Sequence, residues 1–243
     1  MFPPIRAFVA ILLLAAAALC APFLAVDAAR AQSGMNQSNN LEAKLVSDGP
    51  ALAGETVTLA IVFDPVAPEW HGYWKNPGDA GLGMQLDWEL PSGWEVGEPI
   101  YPVPQKLMIA DLMNHIFEGE YAVLVPIKVP DDFTALGSIP ISVKGQWLAC
   151  TDQICVPEGA TLSMFLPNNP DAEINPRFAE WRAAVPPLLD QAGTFALTDA
   201  SLRIAIPIPA SMGLTQPHVF VATEHVADYA AQQRFARKGD MLI

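Results

Sequence analysis

The sequence predicts an all-β protein: an immunoglobulin-like antiparallel β-sandwich, then a short helix and a second, incomplete β-domain. Three observations predict it. Short segments alternate apolar and polar residues with period two. Clusters of Pro, Gly, Asn and Asp separate these segments as turns. The 23 prolines among 243 residues disfavour long helices, because an interior proline removes a hydrogen bond and clashes with the preceding turn.

Composition narrows the class further. At 51% hydrophobic and 16% charged, the chain is too apolar to be disordered. Its net charge of −13 excludes the basic footprint that a nucleic-acid binder needs to displace phosphate counterions.

The first element is an export signal over residues 1–31. Arg6 precedes an apolar run from Ala7 to Val26, and Ala29-Arg30-Ala31 supplies small residues at a cleavage site after Ala31. An uncleaved anchor helix is the competing reading, since about 20 apolar residues span a bilayer. Pro22 and Asp27 interrupt the run and favour cleavage. Export would place Cys150 and Cys155 in an oxidising compartment.

Residues 32–167 carry the sandwich. Val57, Leu59, Ile61 and Phe63 alternate with Thr56, Thr58 and Ala60. Met84, Leu86, Trp88 and Leu90 alternate with Gln85, Asp87 and Glu89. Tyr121 to Lys128 is a continuous apolar run, as in a central strand. Ile139, Ile141 and Val143 lead into Gln146–Cys150, and Ala160 to Leu166 reads as a further strand. Asn76-Pro77-Gly78-Asp79 reads as a rigid turn, with Trp70, Tyr73 and Trp74 packing at one end of the sandwich. Met108 and Met113 read as apolar fill.

Residues 168–190 read as a linker with a short helix. Asn175-Pro176 is an N-cap followed by proline at the first helical position. Phe178, Trp181 and Val185 keep helical spacing until Pro186-Pro187. Residues 191–243 read as part of a second β-domain, with strands at Phe195–Leu197, Leu202–Ile206, Val219–Val221 and from Met241, the front of a longer protein.

The chemistry concentrates in Trp147 to Glu158, where four residues separate Cys150 from Cys155. A disulfide here is either a structural staple of an exported protein or a bond that opens and closes. A bridge closing so short a loop constrains the unfolded chain little, which weakens the staple reading and suits a bond that opens and closes. Two thiolates without neighbouring His do not make a structural zinc site, and no cofactor is implied.

Three segments occur in order: Trp70-His71-Gly72-Tyr73-Trp74-Lys75-Asn76-Pro77-Gly78-Asp79-Ala80-Gly81, then Phe117-Glu118-Gly119-Glu120, then Trp147 through Pro157. Together they resemble the N-terminal periplasmic region of the thiol:disulfide interchange protein DsbD family, nearer its ScsB-like branch. The resemblance implies a protein-disulfide reductase module. Its cysteine pair would take electrons from a transmembrane donor domain and pass them to periplasmic thioredoxin-fold proteins. These partners are disulfide isomerase-like proteins and the pathway serving cytochrome c maturation. The resemblance assigns partner attack to Cys155 and resolution to Cys150. Enterobacterial members have five residues between the cysteines where this chain has four, and the family's membrane and thioredoxin-like domains are not in these 243 residues.

The family's cap loop over the cysteines falls on Asn114–Gly119. Phe117 would cover the sulfurs, or else belong to the core, and Gly119 would allow the turn. His115 reads either as a proton carrier or as a lone surface histidine. Asp111 and Glu118 would raise the cysteine pKa values. With Asp152 and Glu158 near and no basic residue in the loop, the thiols are expected to have ordinary or raised pKa values. The alternative function is a non-enzymatic immunoglobulin-like binding or assembly module with a structural disulfide.

Overall fold

The computed structural model describes residues 38–134 and 137–243; the expected export signal lies outside them. Two antiparallel sheets face each other across one apolar core. The first sheet runs in the order β1 (Leu41–Ser47), β2 (Thr56–Pro65), β8 (Tyr121–Lys128), β5 (Glu95–Val96). The second runs β10 (Cys155–Pro167), β9 (Ser138–Cys150), β3 (His71–Gly78), β7 (Leu112–Glu118), β6 (Gln105–Ile109), with β4 (Gln85–Glu89) also on β9. The fold is the expected β-sandwich.

Alternation sets which side chains meet. Val57, Leu59, Ile61 and Phe63 point inward from β2, opposite Trp147, Val143, Ile141 and Ile139 from β9. Aromatic rings close the centre: Phe63 stacks on Tyr121 at 4.9 Å, Tyr121 on Phe117 at 4.5 Å, and Trp147 meets Phe63 edge-on at 5.0 Å. The apolar run in β8 has two destinations. Val123, Val125 and Ile127 enter the core, while Ala122 and Leu124 face outward with Ala60 and Val62 of β2.

That outer face is covered by helix α1 (Arg177–Ala183), which buries Phe178 and Trp181 on it. Pro176 already has helical angles, and Asn175 Oδ1 accepts a bond from the Arg177 N–H at 3.1 Å, so the expected start signal operates. The helix ends at Ala183, before Pro186-Pro187, and Val185 packs on the same patch from beyond the helix.

The third sheet follows the order β11 (Thr194–Thr198), β12 (Ser201–Pro207), β14 (Met241–Leu242), β13 (Arg237–Lys238). Val219–Val221 is not a strand, contrary to the alternation there. The Gln233 side chain takes the place of a partner strand: its Oε1 accepts from Val219 N–H at 2.8 Å and its Nε2 donates to Val219 C=O at 2.9 Å. Asn76 Nδ2 donates to the carbonyl of Val221 at 2.6 Å. Among the described residues no helix is long and apolar enough to cross a membrane.

Asn76-Pro77-Gly78 is also corrected, from turn to strand. β3 continues through it with a register shift between Tyr73 and Gly78. A bulge tolerates the proline, which has no ladder N–H to offer. Gly78 has φ +92, and a Cβ there would sit 2.3 Å from the Met113 carbonyl oxygen, so glycine is required. Asn76 is fully buried and stabilises the bulge by accepting the Gly78 N–H at 3.1 Å on its Oδ1.

Candidate functional site

The two cysteines close the end of the long β9–β10 hairpin. Cys155 is the register partner of Cys150, and the ladder continues from them to Pro167 and Ser138. The sulfurs are bonded at 2.02 Å. The tip, Thr151 to Ile154, is held by a backbone bond from Thr151 N–H to Ile154 C=O at 2.8 Å, and Thr151 Oγ1 accepts from Gln153 N–H.

The bond is asymmetric. Cys150 has 0% exposure, whereas Cys155 is exposed. Cys150 points away from the sandwich core, since alternation sends Trp147 and Ala149 inward and Leu148 and Cys150 outward. It is nevertheless buried, because Tyr73 and Ile116 pack with it and Leu107 and Leu148 border that cluster. Beside Cys155 the tip presents Ile154, 55% exposed. On the same outer face, a groove of about 600 Å³ runs between Leu82-Gly83 and the Leu148–Pro157 rung.

β3 supplies the neighbours. His71 is the register partner of Cys150 on one side and of Glu118 on the other. Tyr73 lies one step along the same face, its Oη 3.9 Å from Cys155 Sγ and its ring edge-on to His71 at 5.7 Å. His71 is 3% exposed, and among the described residues its Nε2 has no hydrogen-bond partner. Burial lowers its pKa below the usual histidine value, against the opposing pull of Asp152 and Glu118. Burial also raises the Tyr73 phenol.

The expected cap segment is strand rather than loop over Asn114–Glu118, because these residues pair with β3 and β6. Its turn is confined to Gly119-Glu120, where Gly119 takes φ +69. Phe117 belongs to the core: it pairs with Gly72, stacks on Tyr121, and sits on the opposite face of the sheet from Cys150. In this structure Phe117 does not cover the sulfurs.

His115 is not on the surface. It is 1% exposed, bonded through Nδ1 to the Asn76 carbonyl at 2.9 Å, and ringed by Trp74, Phe220 and Tyr229. It shares Phe117's side of β7, so the sheet separates it from Cys150. Burial lowers its pKa despite the Asn76 carbonyl and Asp79. Glu118 does lie at the cysteine end of β7, while Asp111 lies at the other end, seven residues and about 23 Å along the strand. Glu158, close in sequence, faces away: its carboxylate accepts from Asn40 N–H at 2.6 Å, Asn40 Nδ2 at 2.7 Å, Leu41 N–H at 3.1 Å and Trp147 Nε1 at 3.2 Å.

His71 and Tyr73 are therefore the neighbours that sequence reasoning did not assign to the cysteines. A signal existed: they are two residues apart in an extended segment and so share a face. The Trp70–Gly81 motif divides by parity. His71 and Tyr73 lie beside the disulfide, while Trp74 packs in the core and Asn76 bonds the C-terminal segment.

A buried cysteine joined to an exposed one is the arrangement that thiol–disulfide exchange needs: one side of the bond is open to attack and the other leaves or resolves. The comparisons with known proteins agree. The family model for the N-terminal part of the thiol:disulfide interchange protein DsbD matches residues 42–167. The crystal structure of the N-terminal periplasmic domain of ScsB from Proteus mirabilis is similar at a TM-score of 0.58 and 16% identity, covering 86% of this chain and 79% of that one. The reduced DsbD N-terminal domain of Neisseria meningitidis gives a TM-score of 0.31 at 12% identity, over 54% of this chain and 86% of that one. The GAE domain of GGA2p from Saccharomyces cerevisiae also gives 0.31 at 12% identity, over 55% of this chain and 96% of that one. At that score neither bears on the fold. No curated protein matches the chain. With more than half of its length matched by the family model, the chain belongs to the DsbD N-terminal family of thiol:disulfide interchange proteins.

Proposed function

We propose that the Cys150–Cys155 pair is a redox-active disulfide in a periplasmic protein-disulfide reductase. In this reading it relays electrons from a transmembrane donor domain to oxidised thioredoxin-fold proteins. These include disulfide isomerase-like partners and the pathway for cytochrome c maturation. Residues 1–31 serve as the export signal.

The observation that carries the reading is the unequal exposure of the two cysteines. Cys155 is exposed and Cys150 is fully buried. An incoming thiolate reaches Cys155, forms the mixed disulfide there, and expels Cys150. In the other direction the reduced Cys155 attacks the partner, and Cys150, directly across the ladder, resolves the complex. Access thus supports the order that the family resemblance implies. Ile154, exposed beside Cys155, offers an apolar contact to a docking partner.

The test is trapping. The full chain carrying Cys150→Ser retains Cys155 and should hold an oxidised thioredoxin-fold protein as a dithiothreitol-sensitive adduct. Cys155→Ser should hold little. Trapping by Cys155→Ser alone would reverse the roles, and trapping by neither would remove the reading.

A further inference from the structure

His71 stands out among the buried polar groups. Buried polar atoms in folded proteins almost always have a partner, yet His71 Nε2, at 3% exposure, has none among the described residues. It sits directly across the ladder from Cys150, and residues so paired carry Cβ atoms about 4.5–5.5 Å apart on one face. The groups around it are Glu118 from β7, Asp152 from the hairpin tip and Tyr73 from its own strand. Neither carboxylate forms a salt bridge with it. Opening the disulfide creates what this site lacks: a charged sulfur in a place that water does not reach. A leaving thiolate at Cys150 has no solvent to stabilise it.

We propose that His71 is the positioning residue for the exchange step, its Nε2–H donating a hydrogen bond to the Cys150 thiolate as the disulfide opens. This rests on the redox-active reading above and adds what makes the buried sulfur a competent leaving group. A reductant thiolate attacks Cys155 Sγ and forms a new S–S bond. The Cys150–Cys155 bond breaks, and its electron pair goes to Cys150 Sγ, which His71 holds. The reductant's second thiolate then attacks its own sulfur in the mixed disulfide and frees Cys155. Two electrons reach the pair, two protons from water complete the dithiol, and the reductant leaves as its disulfide. In the forward direction the same bond orients Cys150 as it attacks the partner's mixed disulfide. Burial keeps the ring neutral near pH 7, so His71 acts as a donor and not as a counter-charge.

The experiment measures the second-order rate at which dithiothreitol opens the bond in the full chain, across pH 6 to 9. His71→Leu should slow it about tenfold or more, the loss expected when a hydrogen bond to a charged group is removed. His71→Gln, which keeps an N–H donor, should stay within about threefold of wild type. In a Cys155→Ser background, the thiolate absorbance of Cys150 should titrate about one pH unit higher with His71→Leu than with His71 intact. If the leucine variant does not fold, His71→Phe keeps a ring against Tyr73 and gives the same reading. Equal rates and equal thiol titration in the donor-free variant would overturn the proposal. A wild-type bond that dithiothreitol cannot open would instead sink the redox-active reading, and the role of His71 with it.

Discussion

Opening the Cys150–Cys155 bond should leave the sandwich folded. The bond closes a loop with a sequence separation of 5. In the chain-entropy picture a loop of that size contributes about 2 kcal/mol, against the roughly 5–15 kcal/mol that holds a typical domain together. The structure argues that the true figure is no larger. The two strands it joins are already paired along their full 13-residue lengths. Trp147, Ala149, Leu162 and Leu166 anchor them in the core. The assay is urea unfolding of the full chain, oxidised and then held reduced, followed by tryptophan fluorescence and near-ultraviolet circular dichroism. The reduced protein should keep its native near-ultraviolet signal and lose no more than about 2 kcal/mol. Loss of that signal, or a loss above about 4 kcal/mol, would show the bond to be a staple and refute the reasoning.

Three further outcomes follow from the packing. Glu158→Ala removes the acceptor for Asn40, Leu41 and Trp147, so it should cost about 1–3 kcal/mol and speed amide exchange at the start of β1. Asn76→Ala removes the bonds to Val221, Thr223 and Tyr229; it should cost a similar amount, about 1–3 kcal/mol, with faster exchange concentrated over residues 217–230. Acid should destabilise the fold. Burial lowers His71 and His115, and burial with Lys106 and His115 nearby pushes His218 down to about 4. Below the unfolded value near 6.5 the unfolded chain binds more protons than the folded one. Urea midpoints should therefore fall between pH 6.5 and 4, and His218→Gln should flatten that fall. A flat profile in wild type would contradict the assignment.

Most strands of the sandwich were legible because alternation is a local signal. Val57 to Phe63 and Ile139 to Val143 face the core as their period requires. What was not legible depended on tertiary partners. The family resemblance puts a cap loop on Asn114–Gly119, yet pairing on both sides makes Asn114–Glu118 a strand. Asn76-Pro77-Gly78 has turn composition, yet Met113 and the C-terminal segment supply the bonds that hold it as a bulged strand. Val219–Val221 alternates, yet a glutamine side chain, which no pattern flags, occupies the position of a neighbouring strand. For the site, the cysteine pair was evident from its spacing and flanking motif. Its surroundings were not, because the pairing of His71 with Cys150 joins residues distant in sequence. The surface reading of His115 failed for the same reason: Phe220 and Tyr229, which bury it, come from more than a hundred residues away.

The most direct measurement is the reduction potential of Cys150–Cys155 in the native full chain, obtained by equilibration with glutathione and dithiothreitol buffers. A bond that relays electrons should have a potential above roughly −300 mV, within reach of periplasmic thioredoxin-fold partners. A potential well below roughly −300 mV would mark a permanent cross-link and contradict the account.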